Sequence, residues 1–209
     1  MPRADAERNR TRILAAAGEV FGERGLEVPM SEIAHRADVG IATLSRNFAT
    51  REELISATYA ARIQTYLEAL DVALADPDPW SAFCRYIETV CGMQVGNRGF
   101  TYVLAITFPN AKEFAAERSQ GYRGFVKLVN RAKATGRLRA DFSPEDLPML
   151  LMANAGVVSA AGDAAPEAWR RLVAYFLQAC AAENQQPLPS IGRARDVYQA
   201  MQQISSDLP

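Results

Sequence analysis

Residues 39–48 read "VGIATLSRNF", directly after "SEIAHRAD" at 31–38. The stretch puts a tight turn at Val39–Gly40 between two short helical patterns, about 30–38 and 41–47. The second carries Ile41, Thr43, Ser45, Arg46 and Asn47 in barely two turns. A helix that short is marginal alone in water. Besides Ile41 it has only Leu44 and Phe48 as large apolar residues to turn inward, so neighbouring helices must clamp it. Its polar face is then left for something outside.

The neighbours are legible. Upstream, Ile13, Leu14, Ala17, Val20 and Phe21 follow the spacing of one helical face, and Gly25 stops that helix. Pro29 suits a first helical turn, after which Ile33, Ala34 and Ala37 face inward. Downstream, Thr50 to Glu53 is a capping box that opens a long helix through Leu54, Ile55, Tyr59, Ile63, Tyr66, Leu67, Leu70 and Leu74. "ADPDPW" at 75–80 ends it, with Asp78 as cap and Pro79 at the first position of the next helix. Further helices are expected over about 79–95, 100–107, 110–135, 144–161, 166–183 and 191–205. In "SPED" Ser143 is the expected cap, Pro144 the first position and Asp146 the third. No window alternates with period two over a useful length, so the fold class is all α.

Composition narrows the function. The 209 residues are 49% apolar and 22% charged, as in an ordinary packed domain. No apolar run reaches the ~18–20 residues of a membrane span, and "MPRADAERNRTR" lacks the apolar segment of a signal peptide. A cytoplasmic protein without a membrane partner is expected. Cys84, Cys91 and Cys180 have no metal-binding spacing and read as buried free thiols; no metal and no cofactor are expected. The single histidine, His35, has no catalytic constellation around it, and the pairs Gly96/Gly99 and Gly121/Gly124 follow no strand, which leaves turns or close helix approach as their use. The chain is therefore read as no enzyme. A net charge of −1 does not suit a protein that coats nucleic acid. Arg3, Arg8, Arg10 and Arg12 outweigh Asp5 and Glu7 at the start, but five arginines and seven acids over 13–62 cancel that excess. Contact with nucleic acid would have to come from a local patch.

The spacing of 31–48 supplies one. Helix, tight turn and second short helix match the helix-turn-helix arrangement, in which the second helix enters a major groove. Ile41 and Ala42 suit thymine methyls, while Thr43, Ser45, Arg46 and Asn47 offer hydroxyl, guanidinium and amide groups to phosphates and base edges.

The block at 11–57, "TRILAAAGEVFGERGL…EIAHRADVGIATLSRNFATREELISA", resembles the DNA-binding domain of tetracycline-repressor (TetR) family regulators. "ILAAA", Phe21, "ERG", "EIA", "TL" and Phe48 fall in unbroken register with the family pattern. The resemblance implies a three-helix DNA-binding head over 1–57, joined by the long helix to a larger helical effector-binding and dimerisation domain over 58–209. It implies a ligand-responsive transcriptional repressor that binds a palindromic operator as a homodimer. DNA contacts are implied at Ser31, Gly40, Ile41, Ala42, Thr43, Ser45, Arg46, Asn47 and Arg51. Thr43 and Arg46 match recognition-helix positions, and Arg51 replaces the usual lysine at the start of the long helix, where a phosphate contact is expected. Ser45 stands where the family has an aromatic residue and Asn47 where it has histidine.

From 79 onward the resemblance is architectural. Tyr86, Met93, Tyr102, Tyr122, Phe125, Met152 and Asn154 are the expected effector contacts, a set of rings, thioethers and a few polar tips. Their chemistry calls for a mostly apolar small molecule. Small residues at Ala153, Gly156 and Ala160, with Trp169, Val173 and Phe176 on the next helix, form the expected dimer interface. Two other readings stand beside the repressor: an interaction adaptor on the same fold, suggested by Ser45, Asn47 and the neutral head, and a small-molecule-handling enzyme in the C-terminal domain.

Overall fold

A computed structural model describes residues 2–95, 100, 103, 112–184, 186–190, 196–197 and 200. Its helices are α1 (Pro2–Arg24), α2 (Met30–Arg36), α3 (Ile41–Asn47), α4 (Arg51–Ala75), α5 (Pro79–Gly92), α6 (Lys112–Ala134), α7 (Asp146–Ala161) and α8 (Ala168–Cys180), with a 3-10 turn at Gly162–Ala164. Among the described residues the only extended pairing is an isolated bridge between Leu138 and Ala181. The expected helices at 100–107 and 191–205 lie largely outside the described residues.

Local chemistry sets the boundaries. Gly25, at φ +82°, closes α1 and donates its N–H to the Phe21 carbonyl at 3.0 Å. The capping box is formed: Thr50 Oγ1 accepts from Glu53 N at 3.1 Å, and Glu53 Oε2 accepts from Ala49 N at 2.7 Å. Asp78 Oδ2 accepts from the Ser81 hydroxyl at 2.7 Å and Oδ1 from the N–H groups of Ser81 and Trp80 at 3.2 Å each; the hydroxyl bond foremost, they hold its carboxyl below the usual range. Two boundaries differ from the sequence expectation. The left-handed residue of the α2–α3 turn is Asp38, at φ +51°, whereas Gly40 sits at φ −69° as the residue before α3. Aspartate tolerates that region better than most residues, so the turn needs no glycine. The second is α7, which begins at Asp146 instead of Pro144. Asp146 Oδ2 does reach back to Ser143 N at 2.8 Å, but the Ser143 hydroxyl bonds Glu145 and caps nothing.

α4 is the spine. Its buried stripe runs Leu54, Ile55, Tyr59, Ile63, Tyr66, Leu67, Leu70 and Ala73. It packs on α1 at one end and on α5 and α6 at the other. Tyr59 lies between the rings of Phe21 (6.5 Å) and Phe100 (6.3 Å), so one side chain belongs to both regions. The core beyond it is a chain of rings: Tyr66 on Tyr86 at 5.9 Å, Tyr86 on Phe125 at 5.7 Å, Phe125 on Phe83 at 6.4 Å and Phe83 edge-on to Phe142 at 5.3 Å. α6 approaches α4 where its side chains vanish. A Cβ on Gly121 would lie 2.7 Å from Tyr66 Cε1, and one on Gly124 would lie 2.5 Å from Leu70 Cδ2. Close helix approach is thus the use of that glycine pair. Arg131 of α6 then satisfies carbonyls at the end of α4, those of Leu74 and, at 2.8 Å, Asp76.

The other end of the chain is strapped down by a buried arginine. Arg139 is 6% exposed. It bonds the Asp141 carboxylate at 2.5 Å and donates to the carbonyls of Ala179 (3.1 Å) and Gln186 (2.6 Å). Burial pushes the thiols up, Cys91 and Cys180 to about 12 and half-buried Cys84 to about 11.

The Gly121 contact yields a test. Alanine favours a helix over glycine by roughly 1 kcal/mol, but here its methyl would meet a rigid ring held between α4 and α5. Overpacking of about 1–3 kcal/mol wins. Gly121→Ala is expected to destabilise the protein by about 1 kcal/mol net, read as a lower denaturant midpoint with an unchanged slope.

Candidate nucleic-acid interface

α3 is held from behind. Leu44 and Phe48 are 0% and 2% exposed and enter the core made by Ile13, Val20, Phe21, Ile33 and Leu54. α3 packs on both α1 and α2. Two bonds fix the turn before it: Asp38 N donates to the His35 carbonyl and Val39 N to the Ala34 carbonyl, each at 3.0 Å. Arg12 locks the same turn from α1, donating to the Asp38 carbonyl at 2.9 Å and to its carboxylate at 2.8 Å. Arg10, also on α1, lies 4.5 Å over the Phe48 ring and reaches the Asn47 carbonyl at 3.5 Å. Sequence reasoning missed this role for Arg10; the position bears no special signal apart from its place one turn before the apolar face of α1.

The clamp leaves one face open. Ser31, Gly40, Ile41, Ala42, Ser45 and Arg46 are exposed, and Thr43 and Asn47 are half-buried. Ile41 is 48% exposed, a large apolar group at the tip of a helix with no core to enter. No side chain caps the start of α3. Arg46 folds back over its own helix, Nε to the Ala42 carbonyl at 3.1 Å and Nη2 to Thr43 Oγ1 at 3.3 Å. Asn47 Nδ2 donates to the Thr43 carbonyl at 2.8 Å. The structure therefore brings the expected residues of 40–47 onto one surface, with Ser31 at the start of α2.

Arg51 differs from its expectation. Its Nη1 donates to the carbonyls of Leu26 (2.7 Å) and Val28 (2.5 Å), so the guanidinium ties the α1–α2 loop to the start of α4. Many other cations of the head are paired as well. Arg12 bridges Asp38, Arg24 bridges Glu32, and Arg36 bridges Glu19 at 3.3 Å and Glu23 at 3.5 Å.

The residues expected at an effector fall into separate places. Tyr86 and Phe125, each 2% exposed, belong to the ring chain between α4, α5 and α6. Burial, and after it the neighbouring Tyr66 hydroxyl, pushes the Tyr86 hydroxyl well above its ordinary pKa. Asn154 is wholly buried at the α5–α7 seam, with half-buried Met93 just past the end of α5 and half-buried Met152 in the middle of α7. Tyr122 is 43% exposed and donates to Glu145 Oε1 at 3.3 Å, so it stands on the outer side of α6, since its neighbour Gly121 takes the inner one. Tyr102 lies outside the described residues. An open depression of about 440 Å³ between α5 and α8 is lined by Glu88, Thr89, Gly92, Val95, Glu167, Trp169 and Arg170, and shares none of the expected effector residues.

The expected dimer residues divide likewise. Ala153, Gly156 and Ala160 are exposed on α7, and a Cβ on Gly156 would meet nothing within 4 Å. Trp169 and Val173, 6% and 1% exposed, are core residues of the protomer instead. The Trp169 indole covers Gly92 of α5, and half-buried Phe176 packs edge-on against Phe142 at 6.3 Å. Their apolar stripe on α8 faces α5 and α7.

Residues 13–58 match the family model of bacterial regulatory proteins, tetR family. No curated protein matches the chain. Several solved structures share its fold. AmtR of Mycobacterium smegmatis is 19% identical, with a TM-score of 0.58 over 96% of this chain and 95% of its own. LfrR of the same organism, solved with proflavine, is 21% identical, with a TM-score of 0.57 over 87% of this chain and 98% of its own. RolR, solved with resorcinol, is 20% identical, with a TM-score of 0.50 over 91% of this chain and all of its own. The clamped second helix with its open face thus lies within the segment that matches the tetR family model, and the chain shares its all-α fold with these three structures.

Proposed function

We infer that the protein is a ligand-responsive repressor that binds a palindromic operator as a homodimer in the bacterial cytoplasm. The head over 1–57 reads DNA, and the region over 58–209 binds a small effector and the second copy. The observation that carries this reading is the surface of α3, where Ile41, Ala42, Ser45 and Arg46 are all exposed while Leu44 and Phe48 anchor the helix from behind. Ser31, Gly40, Thr43 and Asn47 complete the DNA-facing set. Arg51 belongs to it through the loop it holds, and the start of α4 brings it near the backbone. No cofactor and no catalytic step belong to the mechanism.

Selection from random duplexes gives the operator, and binding is then titrated against salt. Among the described residues Arg46 bonds only its own helix turn, so releasing it to DNA breaks no other contact there. Arg46→Ala is expected to weaken operator binding by ~1–3 kcal/mol with altered base preference if it reads a base, and to weaken all sequences alike if it holds a phosphate. A folded variant with unchanged affinity would remove Arg46 from the interface. If the wild-type chain selects no duplex, the adaptor reading replaces the repressor.

The second copy is proposed to cover α7. Met149 is 47% exposed there, beside the exposed Ala153, Gly156 and Ala160. Residues 146–164 are apolar enough, by length and composition, to cross a membrane, yet only 28% of the segment is buried in the protomer. A self-complementary partner face accounts for that apolar surface. Trp169 and Val173 shape this face only by seating α8 from inside. Because a side chain at 156 has open space within the protomer, Gly156→Leu is expected to leave the protomer folded and to weaken or separate the dimer, as read by sedimentation. Wild-type sedimentation of the variant would rule out this face.

The effector is proposed to be mostly apolar, neutral or singly charged, aromatic or lipid-like, and held by one to three hydrogen bonds. The Tyr86 hydroxyl and the Asn154 Oδ1 support this, being buried polar tips set in rings and aliphatic walls. Met93, Tyr102, Phe125 and Met152 complete the proposed lining, and Tyr122 joins only if α6 turns. Neutral aromatics, fatty acyl compounds, sugars and nucleotides are to be compared by melting shift and then by operator release. Action by a polyanion or a sugar alone would refute this chemistry.

A further inference from the structure

The last turn of α5 is held by two helices at once. A helix end leaves its final carbonyls without intrahelical donors, and they must be satisfied from elsewhere. At the end of α5 the donors are side chains. From α7, Asn154 Nδ2 donates to the Cys91 carbonyl at 3.1 Å and to Gln94 Oε1 at 2.7 Å. Gln94 answers by donating Nε2 to the Leu151 carbonyl of α7 at 3.1 Å. From α4, Arg62 Nη1 donates to the Met93 carbonyl at 3.0 Å, with its guanidinium 5.9 Å from the Phe100 ring. Asn154 and Gln94 are 0% and 2% exposed, so water does not compete for their bonds.

The placement matters because α4 and α7 do different work. α4 packs on α1, α5 and α6, and begins next to the recognition helix; α7 packs on α5 and α8 and bears the exposed small-residue face. α5 is the neighbour both share, and residues 91–94 are where both attach to its backbone by side chain. A rotation or slide of α7 that moves Asn154 must either break two buried bonds or carry the turn with it. Leaving buried amide groups unpaired is costlier than a small shift of the turn, so the turn follows. Arg62 then carries the displacement into α4, about three turns along from Arg51.

We propose that Arg62 is a positioning residue that couples the α7 side of the protein to α4 and the DNA-binding head through the Met93–Gln94 turn. What the coupling serves rests on the repressor reading; its existence does not. A chain of contacts alone does not demonstrate coupling, whereas a background-dependent response does.

The test is hydrogen exchange on the full chain, without DNA or ligand. Asn154→Leu removes both donated bonds at nearly constant volume. In the Arg62 chain it is expected to speed exchange of α4 amides over 58–66 by at least about threefold. In an Arg62→Met background the same change is expected to open only the 91–94 turn and to leave α4 as it was. Arg62→Lys, which keeps one donor, is expected to restore the α4 response. Gln94→Met cuts the same link from the other side and takes the place of Asn154→Leu if that variant does not fold. A merely structural role would loosen α4 equally in both backgrounds, and that result, or an α4 indifferent to both variants, overturns the proposal. Since neither operator nor effector enters the measurement, its failure leaves the repressor reading intact, and failure to select an operator leaves the coupling intact.

Discussion

Everything in this molecule hangs on one helix being in two cores. α4 spans 25 residues, close to 37 Å at 1.5 Å per residue, and its buried stripe never lapses between Leu54 and Ala73. Leu54, Ile55 and Tyr59 close the floor beneath α1 and α3, while Tyr66, Leu67 and Leu70 form a wall of the larger bundle. No loop or change of polarity separates the two sets. The head cannot tilt without dragging a rigid rod through tightly packed neighbours, and interiors packed at crystalline density switch between arrangements instead of bending.

The positions where α4 meets its neighbours show how tightly it is specified. Gly121 admits the Tyr66 ring because no other residue would, and Arg131 satisfies carbonyls that end the helix. Arg62 does for α5 what Arg131 does for α4. Each is an exchange of a long side chain for an orphan backbone group, and each costs the rotamer freedom of one arginine. They fix the axial position of α4, which apolar contacts alone leave free to slide.

Legibility in the sequence followed the range of the interaction. The all-α class, the capping box at Thr50, the Asp78 cap and the helix-turn-helix were readable because each is written within a few neighbouring residues. So was the exposed face of α3, since only Leu44 and Phe48 could turn inward. The tight turn was read at Val39–Gly40, but its left-handed residue is Asp38, which adopts that conformation with Arg12 bonded to it from α1. Trp169 and Val173 show a deeper limit. An amphipathic stripe states that a face is covered but not whether its own chain or a second one covers it. The Asn154–Gln94 pair is 60 residues apart in sequence, and nothing local marks either amide as the partner of the other. Arg51 was legible as a cation at a helix start, but the two carbonyls it serves lie more than twenty residues away.

The ion pairs of the head bear on how the proposed repressor would find its site. Arg12, Arg24 and Arg36 each face a carboxylate of the same head, so they have little field left for a passing duplex. Random sequence holds a protein almost entirely through such unpaired cations, and a genome offers ~10⁶–10⁹ stretches of it as competitors. A head that grips those stretches feebly is not sequestered by them. For the proposed repressor, few molecules per cell would then keep one operator occupied, and the slower search that comes with weak sliding is the accompanying cost.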